Sequence, residues 1–287
     1  LRHGRHTDTV RDPLRRRTDA RSTSTWSRRV DPTVRFSPMM IFGVVNCSPD
    51  SLNTESFVGD EREASRRIDA LLSTGADGID IGGQGSTEIA TLTDWQTEWD
   101  RVAPAIRAAT ARTSDVSIDT FRVEVARAAF EAGVTVLNAA NGMQADTSWE
   151  LAAEFRTSIV VPFMNGPNPL ELEHVVGDPL DAMIDYFGDR LSTADRFGVR
   201  DRCWLDPGTG FGPHGWAWED RYHYQKAVYS GLDRLRVLDR PLYIPLPWRE
   251  TPQHEELLEI VLAQRPEYGR AHYPDRIRAV EERLTAS

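Results

Sequence analysis

The chain has 287 residues, 40% of them hydrophobic, and no apolar run approaches the ~18 residues that a membrane-spanning helix requires. Net charge is −10, but residues 1–38 carry ten Arg and four Asp, so the remainder carries −16. That acidic body argues against nucleic acid as the main partner, and the pattern reads as a cytoplasmic α/β chain of one large or two small domains.

The Arg-rich segment 1–38 shows no helical or strand periodicity and has little to bury, so it is expected to be a disordered extension. From Met39 the pattern changes, and residues 39–287 read as one barrel domain. IFGVVN (41–46) precedes a helical stretch in which Ile68, Leu71 and Leu72 recur at three- and four-residue spacing. DGIDIG precedes a helix near TDWQTEWDRVAPAIRAAT, and DVSIDT precedes RVEVARAAFEAG, which Gly133 stops. VTVLNA, SIVVPFM and RCWLDPG follow, each leading into a helix, the last of them over WEDRYHYQKAVYSGLDRLRVL. PLYIPLP and EYGRAH, with their helices, complete the series. Eight strand–helix units in about 250 residues predict a (β/α)8 TIM barrel. A doubly wound sheet is the alternative, but no GxGxxG follows the first strand. The seventh strand is placed by order, since Pro241, Pro245 and Pro247 suit a central strand badly.

Barrel sites lie at the C-terminal ends of the strands. Those positions hold Asn46, Asp80 with Gly82 and Gly83, Asp119, Asn138, Met164 with Asn165, Asp206, Arg249, and Arg270 with His272. Any one Asp or Asn there also has a plain role, capping the next helix or bonding its own turn. Together they suit a polar heterocycle on one side and an anionic group on the other, with Arg and His neutralising phosphate. Cys47 and Cys203 lie far apart, so a reducing compartment is expected and a disulfide framework is not. Neither a Cys/His cluster nor CxxC is present, so a structural zinc site has no support. Trp218, Tyr222 and Tyr229 read as the inward stripe of the sixth helix, and Trp216 as a ligand-contacting loop residue. His214, in the same loop, reads equally as a diphosphate contact or a solvated residue.

GVVNCSPDSL, GADGIDIGGQGST, SIDTFRVEVA, VLNAANG, WLDPGTGF and GRAHY resemble, in order, the successive motifs of the dihydropteroate synthase family. The resemblance spans residues 41–280. It implies a (β/α)8 barrel that condenses a 7,8-dihydropterin-methyl diphosphate with p-aminobenzoate, with Mg²⁺ as cofactor and a homodimer as the assembly. By resemblance Asp80, Asp119, Asn138, Met164, Asp206 and Arg249 would hold the pterin, with Asp119, Asp206 and Arg249 serving catalysis. Asn46, Thr87, Arg270 and His272 would hold the diphosphate, and Asn46 would also reach the metal. The chain departs from the family at its seventh strand, where Pro247, Trp248 and Arg249 replace Ser-Arg-Lys. It departs again after the second strand, where QGSTEIA, with Gly85 and Glu88, replaces Glu-Ser-Thr-Arg-Pro-Gly. Two alternatives keep the pterin pocket: a methyltetrahydrofolate-type methyltransferase barrel, and a pterin binder without turnover.

Overall fold

In a parallel barrel the two faces of each strand meet two different cores, one inside the barrel and one under the helices. The computed structural model describes residues 38–50, 53–85, 91–166, 171–213 and 215–286. Eight parallel strands are present: β1 (Met40–Asn46), β2 (Gly78–Gly82), β3 (Val116–Thr120), β4 (Val136–Ala139), β5 (Ser158–Pro162), β6 (Cys203–Asp206), β7 (Tyr243–Pro245) and β8 (Tyr268–Ala271). They alternate with α1 (Glu61–Ser73), α2 (Trp95–Thr110), α3 (Val123–Glu131), α4 (Asp146–Phe155), α5 (Pro179–Arg196), α6 (Trp218–Ser230), α7 (Pro252–Ala263) and α8 (Pro274–Ala286). The predicted (β/α)8 architecture is therefore present. The extension over 1–37 and Thr87, Glu88 and His214 lie outside the described residues. No helix among the described residues is long and apolar enough to cross a membrane.

Alternation fixes which side chains reach the site. Phe42, Val136, Val160, Trp204 and Tyr243 pack together inside the barrel, apart from the larger core between sheet and helices. The Trp204 and Tyr268 rings stack at 3.8 Å, closing the N-terminal end. Two residues further along the same faces come Val44, Asn138, Asp206, Pro245 and Arg270, and two further again, on the β1 and β8 lines, come Asn46 and His272. An apolar floor thus hands over to a polar layer by the period of two alone.

The closure is uneven. Strand order runs β6-β5-β4-β3-β2-β1-β8-β7, and β6 meets β7 through a single bridge, Leu205 with Leu242. Leu205 N–H donates to the Pro241 carbonyl at 2.8 Å. Pro241, Pro245 and Pro247 carry no N–H to extend the ladder, so the seam is short and β7 has three residues. One expectation is corrected here. The sixth helix does not run on to residue 238: it ends at Ser230, and a 3₁₀ turn covers Leu232–Leu238. Gly231 stands at the break, where packing leaves no room for a side chain: a Cβ there would lie 2.2 Å from the Leu180 Cδ1.

The end of β3 is held by a buried pair. Glu98 on α2, with no exposed surface, receives Arg122 and accepts from the Thr120 hydroxyl at 2.7 Å. Arg122 also donates to the Thr93 carbonyl, tying the chain before α2 to the strand that carries Asp119. Arg122→Ala strands a buried carboxylate, and the expected cost is about 3–5 kcal/mol, read as a lowered urea midpoint.

Candidate functional site

A cavity of about 430 Å³ opens at the C-terminal end of the barrel, within the range that holds a small ligand. Asn46, Asp119, Arg249, Arg270 and His272 line it, as the strand-end reading expects. Asp80, Asn138, Asp206 and Met164 lie just below or beside it and are buried.

Arg270 organises this floor. Its Nε donates to Asp80 at 2.5 Å and one terminal nitrogen donates to Asp119 at 2.9 Å. Asp80 has no exposed surface. Burial opposes the guanidinium charge, but the two carboxylates outweigh it and hold its pKa above the ordinary value. Asn138 approaches Asp80 at 3.5 Å, the outer limit of a hydrogen bond. Arg270 is thus occupied at the heterocycle end, which the sequence did not indicate, and its second terminal nitrogen, Nη1, is the one that no described carboxylate takes.

Asp206 has no such direct partner. It accepts the Gly208 N–H at 2.8 Å, so the plain turn-bonding role also applies. Gly208 is required there: φ is +69°, and a Cβ would sit 2.2 Å from the Phe163 carbonyl. Burial pushes the Asp206 carboxyl up to about 7, against the opposing effect of the Gly208 bond and Arg270. Burial, the largest cause, and the charges of Asp80 and Glu98 also raise Asp119, while Arg270 lowers it.

His272 requires a correction. Its Nδ1 lies 2.7 Å from the Ser56 hydroxyl, and its carbonyl accepts from Arg67 at 2.8 Å. Burial, then Arg270 and Arg67, depress its pKa to about 3. It is a neutral imidazole, so it offers a hydrogen bond to an anion and does not neutralise charge. The start of the loop after β1 is tied: Ser48 is buried, and Asp50 accepts the Thr91 N–H at 2.9 Å.

The β6–β7 side of the cavity has a different character. Arg249 is exposed at the rim, its guanidinium 5.2 Å from the centre of the Trp248 ring. Trp216 lines the cavity, as expected of a ligand contact. Tyr222 and Tyr229 are buried, but Trp218 is not simply inward: it lines the cavity and stacks flat on His254 at 4.3 Å. Sequence reasoning missed His254, Gln225 and Arg221 as lining residues. A helix residue reaching sideways into a barrel mouth leaves no strand-end signal.

For a cation, the described residues include no group of three or more His, Cys, Asp or Glu able to hold one. The donor chemistry still suits Mg²⁺, which keeps several waters and leans on substrate phosphate oxygens. Asn46 supplies one amide at the cavity wall.

Residues 42–239 match the family model described as pterin binding enzyme. The chain is 33% identical over 210 residues to a dihydropteroate synthase of Streptococcus pyogenes, covering 72% of each chain. It is 26% identical to dihydropteroate synthase from Xanthomonas albilineans in complex with 7,8-dihydropteroate, with a TM-score of 0.70 and coverage of 88% and 95%. The Yersinia pestis dihydropteroate synthase solved with a sulfonamide drug shares the fold at a TM-score of 0.76 and 22% identity, with coverage of 87% and 94%.

The pH dependence of ligand binding follows from Asp206. Its pKa is raised above the usual 3.8, so ionisation costs stability as pH rises toward about 7. A ring N–H donor needs the ionised form, and below about 7 it must displace a proton. Pterin affinity, measured by titration calorimetry, should fall about tenfold between pH 8 and pH 6. Asp206→Asn should bind more weakly at pH 8 and lose part of that slope, the remainder coming from Asp119, whose carboxyl burial raises alike to about 7.

Proposed function

This chain belongs to the dihydropteroate synthase family of pterin-binding enzymes, and from that premise we propose that it condenses 6-hydroxymethyl-7,8-dihydropterin diphosphate with p-aminobenzoate in folate biosynthesis. The observation that carries the reading is the row of Asp80, Asp119 and Asp206 around Arg270 at the barrel mouth, Asp80 and Asp206 buried and Asp119 facing the cavity. Acceptors facing inward beside Asn138 suit a ring rich in N–H and carbonyl groups.

In the reaction, the arylamine nitrogen forms a bond to the exocyclic methylene carbon. The C–O bond to the diphosphate breaks, and its electron pair leaves with the oxygen. The ammonium proton of the product passes to water. Asp206, Asp80 and Asn138 hold the ring, with Met164 packed beside it. Asp119, the carboxylate that lines the cavity, stabilises positive charge developing at the methylene. Arg249 supplies a cation at the rim, with a reach and geometry unlike those of a lysine. Asn46, Thr87, Arg270 through Nη1 and neutral His272 receive the diphosphate. Mg²⁺ beside Asn46, when bound, stabilises the leaving charge. No covalent enzyme intermediate is needed, and the described cysteines are poor candidates: burial pushes the Cys47 and Cys203 thiols up to about 12.

Those reduced, buried thiols support residence in the cytoplasm. Pairing into a homodimer is proposed on the resemblance alone, and sedimentation velocity tests it.

Calorimetry with the pterin diphosphate plus Mg²⁺ should give a complex that weakens when the diphosphate is removed from the ligand. Adding p-aminobenzoate should then release one diphosphate per pteroate formed. Tight binding without release makes the chain a pterin binder, and no binding overturns the reading.

A further inference from the structure

The β6–β7 wall carries positive charge that no described carboxylate balances. Arg221, on the first turn of α6, turns one terminal nitrogen, Nη2, to the Gly210 carbonyl at 2.7 Å and more weakly to Thr209 at 3.5 Å. No described acceptor bonds its Nε or Nη1, and the residue lines the cavity. Burial depresses its pKa, with a further push from the neighbouring Arg249 charge. A half-buried guanidinium beside a second guanidinium costs free energy unless an anion offsets it.

The rest of that wall offers few alternatives. Pro245 and Pro247 have no N–H. The Trp248 and Arg249 carbonyls are both taken by Arg276, at 3.0 and 3.1 Å. Gln225 spends its amide N–H on the Thr209 carbonyl at 2.8 Å. The Thr209 hydroxyl pairs with the Tyr229 hydroxyl at 2.9 Å. Around Arg221 stand flat surfaces that suit an aromatic ring, chiefly Trp216 and the stacked Trp218–His254 pair. The neighbouring wall, with Asn46 and His272, belongs to β1 and the end of β8, the strand paired with β7. The cavity therefore has two anion-receptive groups of residues, one on β1/β8 and one on α6 and β7.

We propose that Arg221 determines specificity for the second substrate, its open Nε–Nη1 edge receiving the carboxylate of an aromatic amino acid such as p-aminobenzoate. This rests on the condensation proposed above. It adds that an α6 side chain, and not the β7 loop, selects an acid over its neutral analogue.

The test compares p-aminobenzoate with neutral p-aminobenzamide, at saturating pterin diphosphate and Mg²⁺, in the full chain, Arg221→Gln and Arg221→Lys. The unsubstituted protein should favour the acid on the order of 10- to 100-fold in KM, the worth of a charge-assisted bond. Arg221→Gln should raise KM for the acid until the preference disappears, with KM for the amide and affinity for the pterin unchanged. Arg221→Lys should recover part of the preference. Equal loss for acid and amide, or no preference in the unsubstituted protein, overturns the assignment. If neither amine gives product, the condensation reading fails, and equilibrium binding of the two amines decides Arg221 by itself. Tighter acid binding that Arg221→Gln abolishes supports the anchor, and equal binding in the unsubstituted protein refutes it.

Discussion

The guanidinium of Arg270 lies between the carboxylates of Asp80 and Asp119, and three strands meet through it. Asp80 is on β2, Asp119 on β3 and Arg270 on β8, so the ion cluster spans the barrel mouth as one unit. Isolated, each buried charge would be prohibitive, and Asp80 in particular has no water to fall back on. Arg270 keeps those two carboxylates in register with the ring they would bind. Asp206 stands outside direct contact with Arg270, with a backbone N–H as its bonded partner, and burial raises its carboxyl and that of Asp119 alike to about 7.

This floor was largely legible in the sequence because it depends on local patterns. Period-two alternation places Trp204 and Asp206 on one face, and likewise Tyr268, Arg270 and His272. Regular strand–helix alternation then brings all those faces to one mouth. Partner choice was not legible. Arg270 is 190 residues from Asp80 and 151 from Asp119, and which of them it meets depends on β1–β2 and β1–β8 register, which no short window encodes. The charge state of His272 escaped for the same reason. Ser56, Arg67 and Arg270 reach it from three separate segments, and burial with the two Arg charges keeps it neutral. Helix α6 misled through its length, since the Leu180 side chain packed against Gly231, where the helix ends, comes from another helix. Trp218 misled through its spacing, which matches an inward stripe although the residue sits at the top of the helix, where inward means toward the cavity.

The prolines at the seam connect fold and chemistry. A barrel usually offers a ligand the backbone N–H groups and side chains of its strand ends, yet here Pro241, Pro245 and Pro247 remove donors from one sector. The sheet tolerates the loss because β6 and β7 need only one bridge to close, while side chains packed behind them carry the cohesion: Leu205, Leu242 and Ile244 are all fully buried. The ligand-facing consequence is a wall with fewer backbone donors. Residues long enough to reach in from the surrounding helices add to recognition in that sector. Arg221 and Gln225 on α6 and His254 on α7 do so, and aromatic rings fill the space between them. Two of those long residues hold the loop after β6 in place, Arg221 by its Nη2 on the Gly210 carbonyl and Gln225 by its amide on the Thr209 carbonyl. Arg221 retains an unoccupied edge after that structural bond is made. A guanidinium can serve both purposes because its donors point in different directions, whereas an ammonium held by a carbonyl has no second planar edge to present. On the proposal made for Arg221, selection of the second substrate rests on the helix behind β7 and not on the strand end.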